Sequence, residues 1–192
     1  AAQARGSQVV LVTGPTALLP PKGIEVVSVS TAEEMMKALS ARLAWATTVI
    51  MAAAVADFRP TRPASQKIRK QGRTGQTLEL ERTTDILASL SAQRTTQLMV
   101  GFAAETSDLI AHAKSKLTEK GLDLIVANDV TTLGGGFGSD QNAATLIDRQ
   151  GGMTDLPLMP KRALADAILN RAQELLRVRQ SDQTSKLVRG SR

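Results

Sequence analysis

The chain has 192 residues and a hydrophobic content of 42%, which fits one globular domain of ordinary size. It contains no cysteine, so disulfides, thiolate metal sites and cysteine nucleophiles are excluded. No apolar run approaches the roughly 20 residues that a membrane-spanning helix needs, and no signal peptide is recognisable. We therefore expect a cytoplasmic protein with no membrane partner.

The net charge of +6 is concentrated near the C-terminus, since residues 177–192 alone carry +4. Aromatic residues make up only 2% of the chain and tyrosine is absent, so the stacking surfaces of single-strand nucleic-acid binders are missing. We therefore expect no specific nucleic-acid partner. The last residues are polar, and we interpret residues 179–192 as a disordered tail or an artificial extension.

Short apolar runs alternate with amphipathic segments along the chain, as in a parallel sheet whose strands are buried on both faces. The first run covers residues 8–13 and ends at Gly14, and a second covers residues 24–29. Thr31 and Glu34 have the spacing of a capping box, which predicts that a helix begins directly after Thr31.

The middle of the chain continues this alternation. Strands are predicted at residues 48–51, 76–81, 97–102 and 122–126, and helices at residues 84–90 and from about 107 to 120. Alternating strands and helices are typical of βαβ units with right-handed crossovers.

Near the C-terminus, two strand-like segments at residues 143–148 and 153–158 flank a turn with Gly151 and Gly152, which favours a hairpin. An amphipathic helix is predicted at residues 160–176. We therefore predict an α/β fold: a Rossmann-like, doubly wound, mostly parallel sheet with helices on both faces, plus a C-terminal β-hairpin arm at about 143–158. The nucleotide-binding domain would cover residues 1–178.

The start of the chain departs from this plan. Residues 1–7 resemble the end of a helix that enters a strand, whereas a doubly wound domain normally opens with a strand and a glycine-rich turn. We therefore expect the opening βα unit to be missing.

In parallel α/β sheets, ligands bind outside the carboxyl ends of the strands. After the predicted strand at 48–51 come small residues at 52–54 and then Asp57. Small side chains let a base or sugar approach the backbone closely, and Asp57 could accept a hydrogen bond from a ribose hydroxyl. An ordinary small-residue strand followed by a solvated aspartate is an equally good interpretation.

Basic residues mark two further places. A lysine on a mobile loop, such as Lys67 in the basic segment 67–70, can close over a phosphate, although a solvated turn is the alternative. His112, Lys116 and Lys120 recur every fourth residue and therefore share one stripe of a helix. That stripe faces either a phosphate or plain solvent, and His112, which lacks a partner at catalytic spacing, is interpreted as structural.

A series of motifs, in family order, resembles the phosphopantothenate–cysteine ligases, the phosphopantothenoylcysteine synthetase family of bacterial coenzyme A biosynthesis. The resemblance covers nearly everything from residue 8 to residue 176. Its motifs are residues 12–15, 52–59, 67–70, 84–87 and 100–106, the pair Lys116 and Lys120, and residues 124–130 followed by 136–142.

This resemblance implies a reaction in which CTP activates the carboxylate of 4′-phosphopantothenate as an acyl-cytidylate, after which the amine of L-cysteine displaces CMP. It also implies Mg²⁺ with the nucleotide, no flavin in this domain and a homodimer. The native protein would be fused to, or associate with, a flavin-dependent phosphopantothenoylcysteine decarboxylase.

The resemblance assigns roles to individual residues. Lys67 matches the mobile-loop lysine and would be catalytic, and Asn128 would contact substrate. Within the nucleotide site, the backbone at 51–53 and Phe102 would hold the cytosine, Asp57 the sugar, and the lysines the triphosphate. The nucleotide-binding positions are Met51, Ala52, Ala53, Asp57, Thr84, Asp85, Ile86, Leu87, Phe102, Lys116 and Lys120. Thr84 replaces the proline that is common in the family.

Family members begin with a strand and a Ser-Ser-Gly-Lys-Met-Gly stretch that is absent here, so we expect weakened nucleotide binding and little ligase turnover. One alternative is therefore a nucleotide-binding, catalytically incomplete fragment. An NAD(P)-binding reductase domain is disfavoured because no G-x-G-x-x-G follows the first strand. An assembly role, through the edge of the predicted hairpin, is a third alternative.

Overall fold

A computed structural model describes residues 1–69, 75–105, 108–129 and 138–190, with the side chains of Glu105, Asp129 and residues 182–190 left aside. The parts of the predicted motifs that fall on residues 70, 106, 130 and 136–137 lie outside the described residues.

Along the chain, single strands or runs of two or three strands are separated by helices. After a 3₁₀ turn at Gln3–Arg5, the strands are β1 (Val10–Thr13), β2 (Glu25–Ser28), β3 (Thr48–Met51), β4 (Phe58–Pro60), β5 (Leu80–Arg82), β6 (Leu98–Glu105), β7 (Leu124–Asp129), β8 (Gln141–Asp148) and β9 (Met153–Pro160). The helices are α1 (Ala32–Ser40), α2 (Ile86–Gln93), α3 (Leu109–Glu119) and α4 (Lys161–Gly190).

The start of α1 shows how local sequence determines an element boundary. The hydroxyl of Thr31 accepts a hydrogen bond from the backbone N–H of Glu34 at 3.1 Å, and the Glu34 carboxylate accepts one from the backbone N–H of Thr31 at 3.3 Å. The predicted capping box is thus confirmed, and it satisfies two N–H groups that a helix start leaves without intrahelical partners.

The central sheet has five strands in the order β3-β6-β7-β8-β9. β3, β6 and β7 are parallel, and β8 runs antiparallel to both β7 and β9, so four of the five strands point in one direction. β1 and β2 form a separate parallel pair, and β4 and β5 form an antiparallel ribbon. The fold class is confirmed, and the hairpin that was predicted as an arm continues the central sheet.

Alternate residues of the inner strands belong to two different cores. Met99 of β6 packs into the core formed with α1, α2 and α3, whereas its neighbours Leu98 and Val100 pack into the core formed with α4. All three are fully buried, as the two-residue period of a strand covered on both faces requires. Helices therefore cover both faces of the sheet, as predicted.

Gly101, in the middle of β6, permits α2 to approach the sheet closely. A Cβ at this position would lie 2.6 Å from Cδ1 of Leu122 and 2.9 Å from Cδ2 of Leu87. Both distances are shorter than carbon–carbon contact allows. The absence of a side chain at residue 101 thus sets the position of the first turn of α2.

Helix α4 is longer than the sequence predicted. It begins at Lys161, as expected, but ends at Gly190 rather than near residue 176, and so runs through the segment predicted to be a disordered tail. The prediction of its end was wrong because the loss of an apolar stripe does not stop a helix: residues 161–189 contain neither proline nor glycine.

A group of buried ion pairs, here called the strand-start cluster, joins α2 and α4 to the beginnings of β6 and β7. Its centre is Asp123, only 3% exposed, whose carboxylate is bonded by both Arg94 and Arg179. The same carboxylate accepts a hydrogen bond from the backbone N–H of Met99 at 2.8 Å. Asp123 is thereby fully compensated, as a buried charge has to be.

A second buried carboxylate belongs to the strand-start cluster. Asp148, at the end of β8, is 2% exposed and is bonded by Arg171 of α4. Burial alone would raise the pKa of Asp148, but the Arg171 guanidinium and two backbone N–H groups outweigh it and hold the pKa below its ordinary value. α4 is therefore attached to the sheet by ion pairs as well as by its apolar face.

Throughout the described ranges, no helix combines the length and the apolar content needed to cross a bilayer.

Candidate functional site

The carboxyl ends of three neighbouring parallel strands form the edge at which the predicted site residues lie, here called the carboxyl edge. In the observed register, Met51 of β3 is paired with Gly101 of β6, and Ala104 of β6 is paired with Asn128 of β7. Adjacent strands are about 4.8 Å apart. The structure therefore places Met51, Phe102 and Asn128 on adjacent strands at one edge.

These residues lie on two sides of the sheet. Met51 packs against the core under α1, α2 and α3, whereas Phe102 packs against the core under α4. Because side chains alternate along a strand, Asn128 shares the α4 side with Val126 and Phe102. Phe102 and Asn128 are diagonal neighbours on β6 and β7, about 8 Å apart at Cα.

Asn128 carries an unsatisfied polar atom. Its side-chain oxygen Oδ1 is buried and has no hydrogen-bond partner among the residues that the structure describes. A buried acceptor without a donor costs about 1–3 kcal/mol, so such atoms are rare in folded proteins. The position of this one, where β7 reaches the carboxyl edge, is suited to accept an N–H group from a ligand.

The segment after β3 is tied to the entrance of α2. The backbone N–H of Thr83 donates to the carbonyl oxygen of Asp57 at 2.9 Å. The Thr83 hydroxyl also donates to the carbonyl oxygen of Ala56 at 2.5 Å. Ala52, Ala53 and Asp57 are exposed. These bonds bring Asp57 beside Thr84, so two parts of the predicted site that are far apart in sequence meet.

The first turn of α2 supplies the predicted wall of the pocket. Asp85 is the N-cap, and its Oδ1 accepts a hydrogen bond from the backbone N–H of Ala88 at 3.0 Å. Ile86 and Leu87 are only 2% and 8% exposed, because their side chains belong to the core. Thr84 and Asp85 are exposed. The wall therefore offers side chains at 84 and 85 and only backbone groups at 86 and 87.

Two of the predicted residues are bonded to each other. Nζ of Lys120, at the end of α3, lies 3.1 Å from Oδ2 of Asp85. Burial raises the pKa of the Asp85 carboxyl, but the N–H of Ala88 and the Lys120 ammonium outweigh it, so the pKa lies below its ordinary value. Lys116, one turn earlier, is half-buried on the same side of α3.

Lys67 stands apart from this group. It is exposed in the connection between β4 and β5, and no described contact joins it to α2 or α3. His112 is exposed on α3. The structure thus brings together Asp85 with Lys120, Asp57 with Thr84, and the ends of β3, β6 and β7, but does not place Lys67 among them.

A cavity of about 280 Å³ lies next to Thr84, between the start of α1 and the β4–β5 ribbon. Arg59 is held there by Glu81, at 2.7 Å, and by Glu33, at 3.6 Å, and the Glu81 carboxylate chiefly raises its pKa. Sequence reasoning missed this cavity, although Arg59 ends one of the motifs. Its lining residues are Ala32, Glu33, Arg59, Arg82, Thr83 and Thr84.

Among the residues that the structure describes, no group of three or more histidine, aspartate or glutamate side chains is arranged to hold a metal ion. A dedicated all-protein metal cage is therefore not part of the described site.

The sheet order and the helices on both faces define a doubly wound α/β domain, a class in which ligands bind outside the carboxyl ends of the strands. The chain belongs to the DNA/pantothenate metabolism flavoprotein C-terminal domain family, whose sequence profile matches residues 1–176.

Two curated relatives, each named "Coenzyme A biosynthesis bifunctional protein CoaBC", agree with this assignment. The Bacillus subtilis protein is 43% identical over 171 residues, which cover 88% of this chain and 42% of the relative. The Vibrio parahaemolyticus protein is 42% identical over 178 residues, which cover 92% and 44%. The chain thus spans less than half the length of these relatives.

A solved structure agrees as well. The crystal structure of the C-terminal domain of the coenzyme A biosynthesis bifunctional protein CoaBC superimposes with a TM-score of 0.77 at 36% identity. The match covers 92% of this chain and 78% of that one. The family and the fold that the sequence motifs predicted are therefore confirmed.

Proposed function

We propose that this domain joins 4′-phosphopantothenate to L-cysteine in coenzyme A biosynthesis, with CTP as the activating nucleotide. In the first step, a carboxylate oxygen of phosphopantothenate attacks the α-phosphorus of CTP, and pyrophosphate leaves. In the second, the cysteine amine attacks the acyl carbon, the bond to CMP breaks, an amide forms and the nitrogen loses a proton. Two observations carry the proposal: the chain matches the family over residues 1–176, and Met51, Phe102 and Asn128 lie on adjacent strands at one edge of the sheet.

At the base end of the site, the backbone of residues 51–53 and the ring of Phe102 would enclose the cytosine. Met51 and Phe102 lie on adjacent strands, and Ala52 and Ala53 leave their backbone accessible. The buried oxygen of Asn128 would then accept an N–H group of the bound substrate. Asp57 is exposed in the segment after β3 that is hydrogen-bonded to Thr83, and its carboxylate would accept a hydrogen bond from a sugar hydroxyl.

At the phosphate end, Lys116 and Lys120 would bind the triphosphate, and Lys67 would close over the phosphate that undergoes substitution. Negative charge grows on that phosphate and on the departing pyrophosphate, and fixed cations stabilise it in the transition state. The described residues offer no carboxylate cage, so Mg²⁺ would be held mainly by phosphate oxygens and water, where it supplies further positive charge.

The remaining parts of the proposal concern the protein's surroundings. The relatives are named bifunctional and extend well beyond this chain, which supports fusion to, or association with, a decarboxylase. We also propose that the protein forms a homodimer and works in the cytoplasm.

The proposal is tested by CTP-dependent pyrophosphate release in the presence of 4′-phosphopantothenate and cysteine, with ATP in parallel. The variant Lys67→Met should lose about 100-fold or more in kcat, because a cation is removed from the transition state. Lys22→Met, at an exposed lysine in the connection between β1 and β2, is the control. Binding of CTP without pyrophosphate release would identify a binding module instead of a ligase, and absence of both would overturn the proposal.

A further inference from the structure

The ion pair between Asp85 and Lys120 connects the start of α2 to the end of α3. Asp85 precedes α2, and Lys120 is the C-cap residue of α3. The two oxygens of Asp85 have separate partners, since Oδ1 binds the backbone N–H of Ala88 and Oδ2 binds Nζ of Lys120. One carboxylate therefore fixes both the start of α2 and the end of a lysine side chain from another helix.

The Lys120 ammonium is held by Asp85 but remains accessible to a ligand, because both side chains are partly exposed. The Lys120 side chain is 32% exposed and that of Asp85 is 47% exposed. An ammonium group carries three N–H donors, and Asp85 engages one of them. Within the described ranges of the chain, two donors therefore remain, on an ammonium whose position Asp85 already restricts.

We propose that Asp85 is a positioning residue, which binds no nucleotide phosphate itself but holds the Lys120 ammonium where a triphosphate meets it. This inference rests on the proposed function. A free lysine side chain loses rotamer freedom when a ligand fixes it, and this loss weakens binding. If Asp85 has already fixed Lys120, little rotamer freedom is left to lose when the triphosphate binds, and binding is tighter.

The proposal and a simple charge argument predict opposite signs for one variant. Asp85→Asn keeps an N-cap acceptor of nearly equal quality but removes the ion pair. If Asp85 only contributes a negative charge near the site, its removal should strengthen binding of a triphosphate. If Asp85 positions Lys120, CTP binding should weaken by about three- to tenfold, the equivalent of the ordering free energy.

A matched control separates these effects further. Glu119→Gln removes a carboxylate from the residue next to Lys120, but Glu119 is bonded to the Ser115 hydroxyl at 2.5 Å. CTP binding should be unchanged or tighter in this variant. In a Lys120→Met background, Asp85→Asn should weaken CTP binding no further, because nothing is left to position. Thermal melting of each variant checks that the fold is retained.

The experiment is CTP titration by calorimetry on the full chain and these variants, together with NMR measurement of side-chain order at Lys120 and at the exposed Lys114. Ordered Lys120 and weaker binding by Asp85→Asn support the proposal. Equal or tighter binding by Asp85→Asn, or Lys120 as mobile as Lys114, overturns it while the proposed function stands. A parent protein that binds no CTP overturns both.

Discussion

Where β6 and β7 begin, the buried carboxylates of Asp123 and Asp148 are bonded to three arginines. Where β7 ends, the buried oxygen of Asn128 has no partner within the described part of the chain. The strands and the core are common to both edges. The two edges therefore differ: the strand-start cluster satisfies its own charges, whereas Asn128 at the carboxyl edge keeps a buried acceptor that, under the proposed function, a bound substrate would satisfy.

The comparison has an energetic meaning. Unsatisfied buried groups lower stability, so a fold can keep them only when the rest of its structure compensates. α4, attached by Arg171 and Arg179, supplies such compensation from the face opposite α2 and α3. We infer that the stability of this domain and its binding capacity are largely separable, and four changes test that separation.

The largest effect is expected at the strand-start cluster. Asp123→Ala should lower the free energy of unfolding by about 3–5 kcal/mol, because it leaves two arginines near a buried site without their carboxylate. Chemical denaturation measures the change. Glu25→Ala breaks the exposed pair with Arg42 and should lower stability by less than about 1 kcal/mol. Similar losses in the two variants would contradict the role given to the cluster.

Gly101→Ala should have the second largest effect and lower the free energy of unfolding by about 1–3 kcal/mol, because the added Cβ would overlap buried atoms of Leu122 and Leu87. CTP binding should weaken as well, because Leu87 belongs to the first turn of α2. Gly75→Ala adds a methyl group where no atom lies within 4 Å, and serves as the control. A Gly101→Ala protein of unchanged stability would show that α2 can move freely on the sheet.

Asn128→Leu should change stability and binding in opposite directions. An apolar side chain of similar shape removes the unsatisfied oxygen, so the free energy of unfolding should rise by about 1 kcal/mol. Binding of CTP should weaken about tenfold, the value of one hydrogen bond to substrate. Denaturation and calorimetry on the same sample measure both. A loss of stability would instead indicate that the Asn128 side chain supports the fold.

The smallest effect is expected for the stability of the protein at acidic pH. The pKa of Asp148 and that of Asp85 lie below the ordinary value. Their stabilising contributions are therefore complete above pH about 4 and are lost as the pH falls through the lowered values. Asp148→Asn should flatten the dependence of stability on pH below 4 more than Asp85→Asn does, because Asp148 is buried and Asp85 is half exposed. Denaturation curves between pH 2.5 and 7 test this order.

The sequence predicted correctly those element boundaries that depend on interactions between residues close together in the chain. The capping box of Thr31 and Glu34 identified the start of α1, and the apolar run of β3 was predicted with its observed bounds. In both cases the determining contacts lie within a few residues along the chain, so the pattern alone contains the information.

Contacts between residues far apart in the chain could not be predicted from the sequence. Asp123 interrupts an apolar run, and nothing near it in sequence shows that arginines 29 residues before and 56 residues after it will pair with it. The ion pair of Asp85 with Lys120 is likewise formed only when α2 and α3 pack on one face. At the site, the resemblance identified residues, but only the structure shows that Ile86 and Leu87 face the core.

The length of chain between Asp123 and Arg179 also bears on how the protein is made. The carboxylate becomes part of the chain 56 residues before the second of its arginines, and at 5–20 residues per second that interval lasts roughly 3–11 s. During synthesis, β7 therefore emerges well before α4 can cover it. A nascent chain arrested before α4 should expose the Leu124 and Val126 face of the sheet, and so be a target for chaperones that bind apolar segments.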